Sequence, residues 1–201
     1  MNYVIKEMVV SEIVVEKSKF IALLCPLMFE SDFDLHMNEA KKTFKDARHY
    51  TYAIRYQNSE KASDDGEPQN TAGIPLLTLL RTHNFMNTAL IVIRYFGGKK
   101  LGAGRLLRTY VEAGSKAIGL AVKYQEIPAF CYQIAVNIRD FEKVKYAFQK
   151  QGFELLAIDF SEIDVQLSVN VSVADALLFE SLYNIKSKKE AVLLKEIVNE
   201  S

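Results

Sequence analysis

Ile163-Asp164-Val165-Gln166-Leu167-Ser168-Val169-Asn170-Val171-Ser172-Val173 carries an apolar side chain at every second position without a break. A period of two belongs to a β-strand, whose successive side chains point to opposite faces of a sheet. One face of this strand is therefore buried and the other polar, as in a sheet covered on one side. Upstream, Phe153 to Phe160 reads as a partner strand, with Ser161-Glu162 as the turn between them. Before that, Phe141, Val144 and Phe148 recur at helical spacing, with Asp140 placed to cap the helix and Gly152 to stop it. Tyr132, Ile134, Val136 and Ile138 alternate as a strand. Downstream, Ala174, Leu177, Leu178, Leu182 and Ile185 fall on one helical stripe, and a last strand is expected over about Glu190 to Val198.

The order is β-α-β-β-α-β, the ferredoxin-like pattern, in which both helices cover one face of the sheet. This unit begins near Ala129, after Glu126-Ile127-Pro128. Two α+β domains are expected, 1–128 and 129–201, and 201 residues suffice for two small cores.

In the first domain, Ile13 and Val15 alternate with Val14 and Glu16, and Lys17-Ser18-Lys19 interrupts before Phe20 to Leu24. That predicts two antiparallel strands joined by a tight polar turn. Ser31 or Asp32 can cap a helix over 32–46, with Phe33, Met37, Ala40 and Phe44 on one face. Tyr50, Tyr52, Ile54 and Tyr56 occupy one face of a strand, and His49, Thr51 and Arg55 the other. A polar loop from Gln57 to about Thr71 leads to a short helix over Ile74 to Thr82, with Pro75 in its first turn. Ala89 to Ile93 is a continuous apolar run, a strand buried on both faces, ended by Gly97-Gly98. A long helix over 103–122 places Leu107, Tyr110, Val111, Gly114, Ile118 and Ala121 inward and Arg105, Arg108, Glu112 and Lys116 outward.

Composition limits the function classes. Hydrophobic residues make up 49% and charged residues 25%, a globular balance that needs no disulfide framework. Cys25 and Cys131 each lie in apolar runs and read as buried thiols of a reducing compartment. The first ten residues do not resemble a signal peptide, and no apolar run approaches the roughly 18 residues of a membrane helix. A cytoplasmic location is expected. Net charge is zero, but residues 94–123 hold a net +6 and residues 57–70 a net −3, so charge is sorted locally.

Two segments can carry chemistry. Asp64-Asp65-Gly66-Glu67-Pro68 puts three carboxylates within four residues. They can hold a hard cation, or they can accept backbone N–H groups and pair with an arginine while Gly66 makes a turn. Arg94-Tyr95-Phe96-Gly97-Gly98-Lys99-Lys100-Leu101-Gly102-Ala103-Gly104-Arg105 is a strand, a glycine-rich turn and a helix N-terminus. Such a junction suits anions, and Lys99, Lys100, Arg105 and Arg108 add charge. The same residues also read as a tight turn and a solvated helix face. No Gly-Lys-Ser/Thr follows at the Walker A spacing, and residue 107 is Leu where a dinucleotide fingerprint needs its third glycine. His49 at a strand end can serve acid–base chemistry beside the acidic loop, or be a satisfied structural histidine. The tyrosines at 50, 52 and 56 can stack bases or pack the sheet. No nucleophile elbow, Cys–His pairing or HExxH is present, so no catalytic residue, metal or cofactor is assigned.

These segments carry a resemblance. Asp64-Asp65-Gly66-Glu67-Pro68 with Thr71-Ala72-Gly73-Ile74-Pro75 resembles the central motif of the YigZ/IMPACT family. Arg94-Tyr95-Phe96-Gly97-Gly98-x-x-Leu101-Gly102-x-Gly104, followed by Leu107-Arg108-x-Tyr110, resembles its second motif. Lys17-Ser18-x-Phe20 and His49 match weaker flanking positions. Asn70 and Arg105 stand where the family usually has glycine; Asn tolerates the left-handed turn conformation. The resemblance implies a first domain like domain 2 of ribosomal protein S5 and a second like domain V of elongation factor G. It also implies a role in regulating translation, with RNA, the ribosome or translation-control proteins as partners. A metal-dependent hydrolase using the acidic loop, and a protein-interaction module using the second domain's sheet, are the alternatives.

Overall fold

The computed structural model describes residues 2–197. The chain forms two compact units, the first of residues up to 125 together with 196–197, the second of residues 126–195.

In the first unit, β1 (Tyr3–Val4) is followed by β2 (Val9–Val15), β3 (Ser18–Pro26), α1 (Asp32–Thr43), β4 (His49–Tyr56), β5 (Ser59–Ser63), α2 (Gly73–Thr82), β6 (Thr88–Tyr95) and α3 (Ala103–Leu120). One sheet runs β2-β3-β6-β4-β5, antiparallel at every pairing. The turn between β2 and β3 is Glu16-Lys17, at φ 48° and 64°, the left-handed pair that matches hairpin twist.

Strand alternation divides the sheet into two cores. Phe20, Ala22, Leu24, Ala53, Leu90 and Val92 face α2 and α3 with Leu76, Leu80, Leu106, Tyr110 and Ala117. Ile21, Leu23, Cys25, Ile54, Ile91 and Ile93 face α1 with Met37 and Ala40. Tyr50, Tyr52 and Tyr56 pack on this second core, and the hydroxyls of Tyr50 and Tyr56 donate to the carbonyls of Phe44 and Met28. The tyrosine stripe is thus packing. Burial pushes the Cys25 thiol up to about 12.

In the second unit, β7 (Tyr124–Asn137), whose first two residues belong to the first unit and pair with β1, leads into a 3₁₀ turn (Ile138–Asp140). Then come α4 (Phe141–Gln151), β8 (Glu154–Phe160), β9 (Asp164–Ser172), α5 (Ala176–Leu182) and β10 (Ile185–Glu196). The sheet order is β10-β7-β9-β8. Gly152 ends α4 at φ 74°, as its placement predicts.

Several expectations need correction. The stretch after Gln57 is not all loop, because Ser59–Ser63 pairs with β4 as an edge strand. Its charged Glu60 and Lys61 hid it, and charge is what protects an edge from further pairing. α3 ends at Leu120 and buries Leu106, Thr109 and Ala113, whereas Leu107 is exposed, one position round from the predicted face. α1 ends at Thr43, and neither Ser31 nor Asp140 caps its helix through its side chain. The Asp32 carboxylate instead accepts the N–H groups of Met28 and Phe29 at 2.8 Å. β10 begins at Ile185, not Glu190, and Val198 lies outside the described residues.

The largest correction concerns α5. Leu177 is 81% exposed, and Leu178 and Leu182 are also exposed, while Phe179 is fully buried. Phe179 packs on Tyr132, Phe148, Phe153 and Tyr183 with ring centroids 4.8–5.8 Å apart. Aromatic clusters of this geometry bury large areas and prefer edge or offset contacts. Phe179→Ala is expected to cost roughly 3–5 kcal/mol of stability in urea denaturation, and Leu177→Ala less than about 0.5. Equal losses would contradict this placement.

Candidate functional site

Register builds the site. Arg94 at the end of β6 lies opposite Phe20 on β3 and His49 on β4. All three side chains share the face that α3 covers, because 94, 92 and 90 alternate together, as do 49, 51 and 53. Tyr110 of α3 lies over this row, its ring edge-on to Phe20 at 5.2 Å.

Glu67 enters from the loop between β5 and α2. Its Oε1 accepts a 2.6 Å bond from Arg94 Nη1 and a 2.7 Å bond from the Tyr110 hydroxyl. The Glu67 and Arg94 side chains are 3% and 6% exposed, so this is a buried ion pair. Such a pair is held by good geometry and extra hydrogen bonds, since desolvation of both charges opposes it. Burial, then the Glu67 charge, pushes the Tyr110 phenol far up, which keeps it a donor. The Arg94 guanidinium carbon sits 5.3 Å from the Phe20 ring centre and 5.6 Å from that of Phe96. Its Nε is buried without a hydrogen-bond partner among the described residues. An unmade bond of this kind costs about 1–3 kcal/mol.

The other two carboxylates have separate tasks. Asp64 accepts the N–H groups of Ala72 at 2.9 Å and Gly73 at 2.8 Å through Oδ1, and that of Asn70 at 2.8 Å through Oδ2. It therefore caps α2 from nine positions away, satisfying N–H groups that a helix start leaves open. Gly73 has no room for a side chain, since a Cβ would lie 2.7 Å from the Ser63 backbone. Asp65 Oδ2 accepts the Tyr50 N–H at 2.6 Å, and the Asp65 carbonyl lies 2.7 Å from His49 Nδ1. A carbonyl only accepts, so Nδ1 carries the proton and Nε2 faces Glu67 Oε2 at 3.8 Å. Thr71 donates to the Pro68 carbonyl at 2.6 Å, and Asn70 takes the left-handed conformation at φ 60°. The three carboxylates do not converge. Among the described residues no group of three or more His, Cys, Asp or Glu is placed to hold a metal ion.

Beside this network lies a half-open cleft of about 430 Å³. Arg48, His49, Glu67, Pro68, Arg94, Phe96, Lys100, Leu101, Gly102, Ala103 and Leu106 line it, with Gly66. The N-terminus of α3 forms one wall, and Gly102 before it has no side chain with which to cap it. Gly102, the residue before that helix, has φ 77°, which favours glycine.

A model of the Impact N-terminal domain matches residues 16–118, which span both motif segments. The chain belongs to the IMPACT family. An IMPACT family member of Bacillus subtilis, YvyE, is 40% identical over 164 residues, covering 80% of this chain and 75% of that one. A Haemophilus influenzae IMPACT family member is 27% identical over 193 residues, covering 94% and 93%. A crystal structure described as a hypothetical protein shares the fold over 98% of both chains, at 22% identity and a TM-score of 0.62. No helix among the described residues is long and apolar enough to cross a membrane.

The geometry divides the site residues expected from the sequence. His49, Gly66, Glu67, Pro68, Arg94, Lys100 and Gly102 meet at the cleft. Lys99 and Arg105 do not, because each pairs with Glu16 at 3.0 Å and holds that carboxyl below its ordinary range. Arg108 is exposed on α3 away from the cleft. Lys116 donates to the Glu12 carbonyl at 2.9 Å, so much of the +6 segment serves the fold. Tyr95 donates to the Lys45 carbonyl at 2.9 Å and is also architectural. Arg48 and Phe96 line the cleft, yet composition gave no reason to select them; Phe96 sits inside the second motif and Arg48 directly precedes His49.

Gly97 and Gly104 differ in kind. A Cβ on Gly97 would lie 2.1 Å from the Lys17 backbone, whereas one on Gly104 meets nothing within 4 Å. Gly97→Ala is therefore expected to lower the melting temperature by several degrees, and Gly104→Ala to leave it unchanged or raise it, since Ala favours a helix by about 1 kcal/mol. Glu67→Gln leaves the Arg94 charge buried and unpaired, and a loss of about 3–5 kcal/mol in urea denaturation is expected.

Proposed function

We propose that this chain is a non-enzymatic, translation-linked regulatory binding protein, which contacts RNA, on the ribosome or with a translation factor, through the Arg48–Lys100 cleft. One observation carries the proposal: Arg48, Lys100 and the start of α3 converge on one open cleft beside an ion-paired Arg94. Among the described residues neither Arg48 nor Lys100 has an ion pair, so their charge is available to a phosphate. We propose Lys99, Arg105 and Arg108, with the Gly97-Gly98 turn and Gly104, as a secondary rim outside the cleft. The rim's field is weaker, because Glu16 offsets two of its cations.

We assign the first unit to the S5 domain 2-like type and the second to the ferredoxin-like type of elongation factor G domain V, with the boundary near Pro128. The β-α-β-β-α-β order and the β10-β7-β9-β8 sheet support the second assignment. Fold analogy to ribosome-associated domains supports translation as the setting, while the cleft supports the chemistry. A cytoplasmic location accords with this setting.

Phosphate contacts release counterions, so binding must weaken steeply with salt. Cosedimentation with ribosomes and anisotropy with labelled RNA at about 50 mM salt are expected to show binding. Arg48→Ala with Lys100→Ala should reduce it roughly tenfold or more, and Arg105→Ala with Arg108→Ala less. Absence of binding at low salt, or indifference to the Arg48/Lys100 pair, would overturn the proposal.

A further inference from the structure

Phe96 gives the cleft a chemistry that phosphate binding alone does not use. It is 38% exposed although Arg94, two residues earlier, is buried. It is also held in place. The Gly97 N–H donates to Ser18 Oγ at 3.1 Å, and Gly97 packs so tightly on the Lys17 backbone that it has no space for a Cβ. The chain after Phe96 is therefore pinned to the β2–β3 turn.

Two guanidinium groups flank the ring. Arg94 lies 5.6 Å from the ring centre and is anchored by Glu67. Arg48 lies 5.5 Å away and is exposed, with no ion pair among the described residues. One neighbour is fixed and the other can be displaced. Pro68, Leu101 and Leu106 add apolar wall, and Lys100 with the start of α3 supplies the anion side. The Arg94 Nε has no acceptor among the described residues although its side chain is only 6% exposed, so the guanidinium at this wall retains unused donor capacity.

An aromatic face, two cations with no ion pair among the described residues and a helix start within about 430 Å³ form a small site with an apolar side and an anion-binding side. We infer that the cleft takes one unstacked nucleotide of single-stranded RNA, its base against Phe96 and its phosphate among Lys100, Arg48 and the first turn of α3. This rests on the RNA-binding function proposed above and specifies what is bound. The base displaces Arg48 from the ring, and Arg48 moves to the phosphate. Single strands can present such a base, because their bases splay onto aromatic side chains. A duplex keeps its bases paired and can offer the cleft only phosphates.

The chain contains no tryptophan, so Phe96→Trp places the variant's one tryptophan at the site, where its emission can be excited selectively over that of the tyrosines. Its emission is expected to be quenched by a single-stranded octanucleotide RNA and not by inorganic phosphate or by the duplex of the same sequence. Phe96→Leu keeps an apolar side chain without a stacking face and should weaken single-stranded binding by roughly tenfold while leaving duplex binding unchanged. Circular dichroism of both variants must match the parent protein, and Phe96→Tyr should bind like it. Equal binding of single strand and duplex, with Phe96→Leu indifferent and no quenching, would overturn the nucleotide site while leaving phosphate contact by Arg48 and Lys100 intact. Failure of every RNA to bind at low salt would overturn both.

Discussion

The buried ion pair of Glu67 and Arg94 is the constraint on which the rest of the first unit depends. Neither charge can be left alone under α3, because the cost of an unpaired buried ion exceeds that of any neighbouring contact. The loop before α2 must therefore reach the end of β6, and Tyr110 must donate from α3. Asp64 and Asp65 hold the loop on that path by taking the N–H groups of Ala72, Gly73 and Tyr50. Three elements distant in sequence are tied at one atom, Glu67 Oε1.

The cleft is a consequence of that tie. Bringing the acidic loop to the strand end leaves a space between Pro68 and the start of α3, and Arg48, Phe96 and Lys100 border it. The same tie changes the electrostatics. Arg94 is neutralised by Glu67, Glu16 holds Lys99 and Arg105, and Arg48 and Lys100 border the cleft with no ion pair among the described residues. A chain of zero net charge can in this way present a local cationic site to an anionic partner without attracting polyanions over its whole surface.

Local patterning made much of the fold legible. The unbroken alternation from Ile163 to Val173 and the apolar run from Ala89 to Ile93 each identify a buried strand, because side-chain period reports backbone geometry directly. Patterning failed where two patterns competed. In α5, Leu177, Leu178 and Leu182 make a plausible stripe, yet the seven-residue helix turns Phe179 inward, where four aromatic rings receive it. In α3, Leu106 and Leu107 are both apolar, and only packing on the sheet selects the first. β5 was illegible because an edge strand is exposed and charged, like a loop.

By itself, the sequence determined most of the strands and helices, though not β5, and the two motif segments of the IMPACT family, since each is written in neighbouring residues. It also narrowed the acidic loop to two roles, cation ligand or backbone cap and arginine partner. Only the tertiary structure decided between them, sending Asp64 to the α2 start, Asp65 to β4 and Glu67 to Arg94. It likewise paired Lys99 and Arg105 with Glu16 and brought Arg48 and Phe96 to the cleft. The physical reason is that hydrogen bonds and ion pairs follow distance in space. Strand register sets that distance between residues tens of positions apart, and no local period records it.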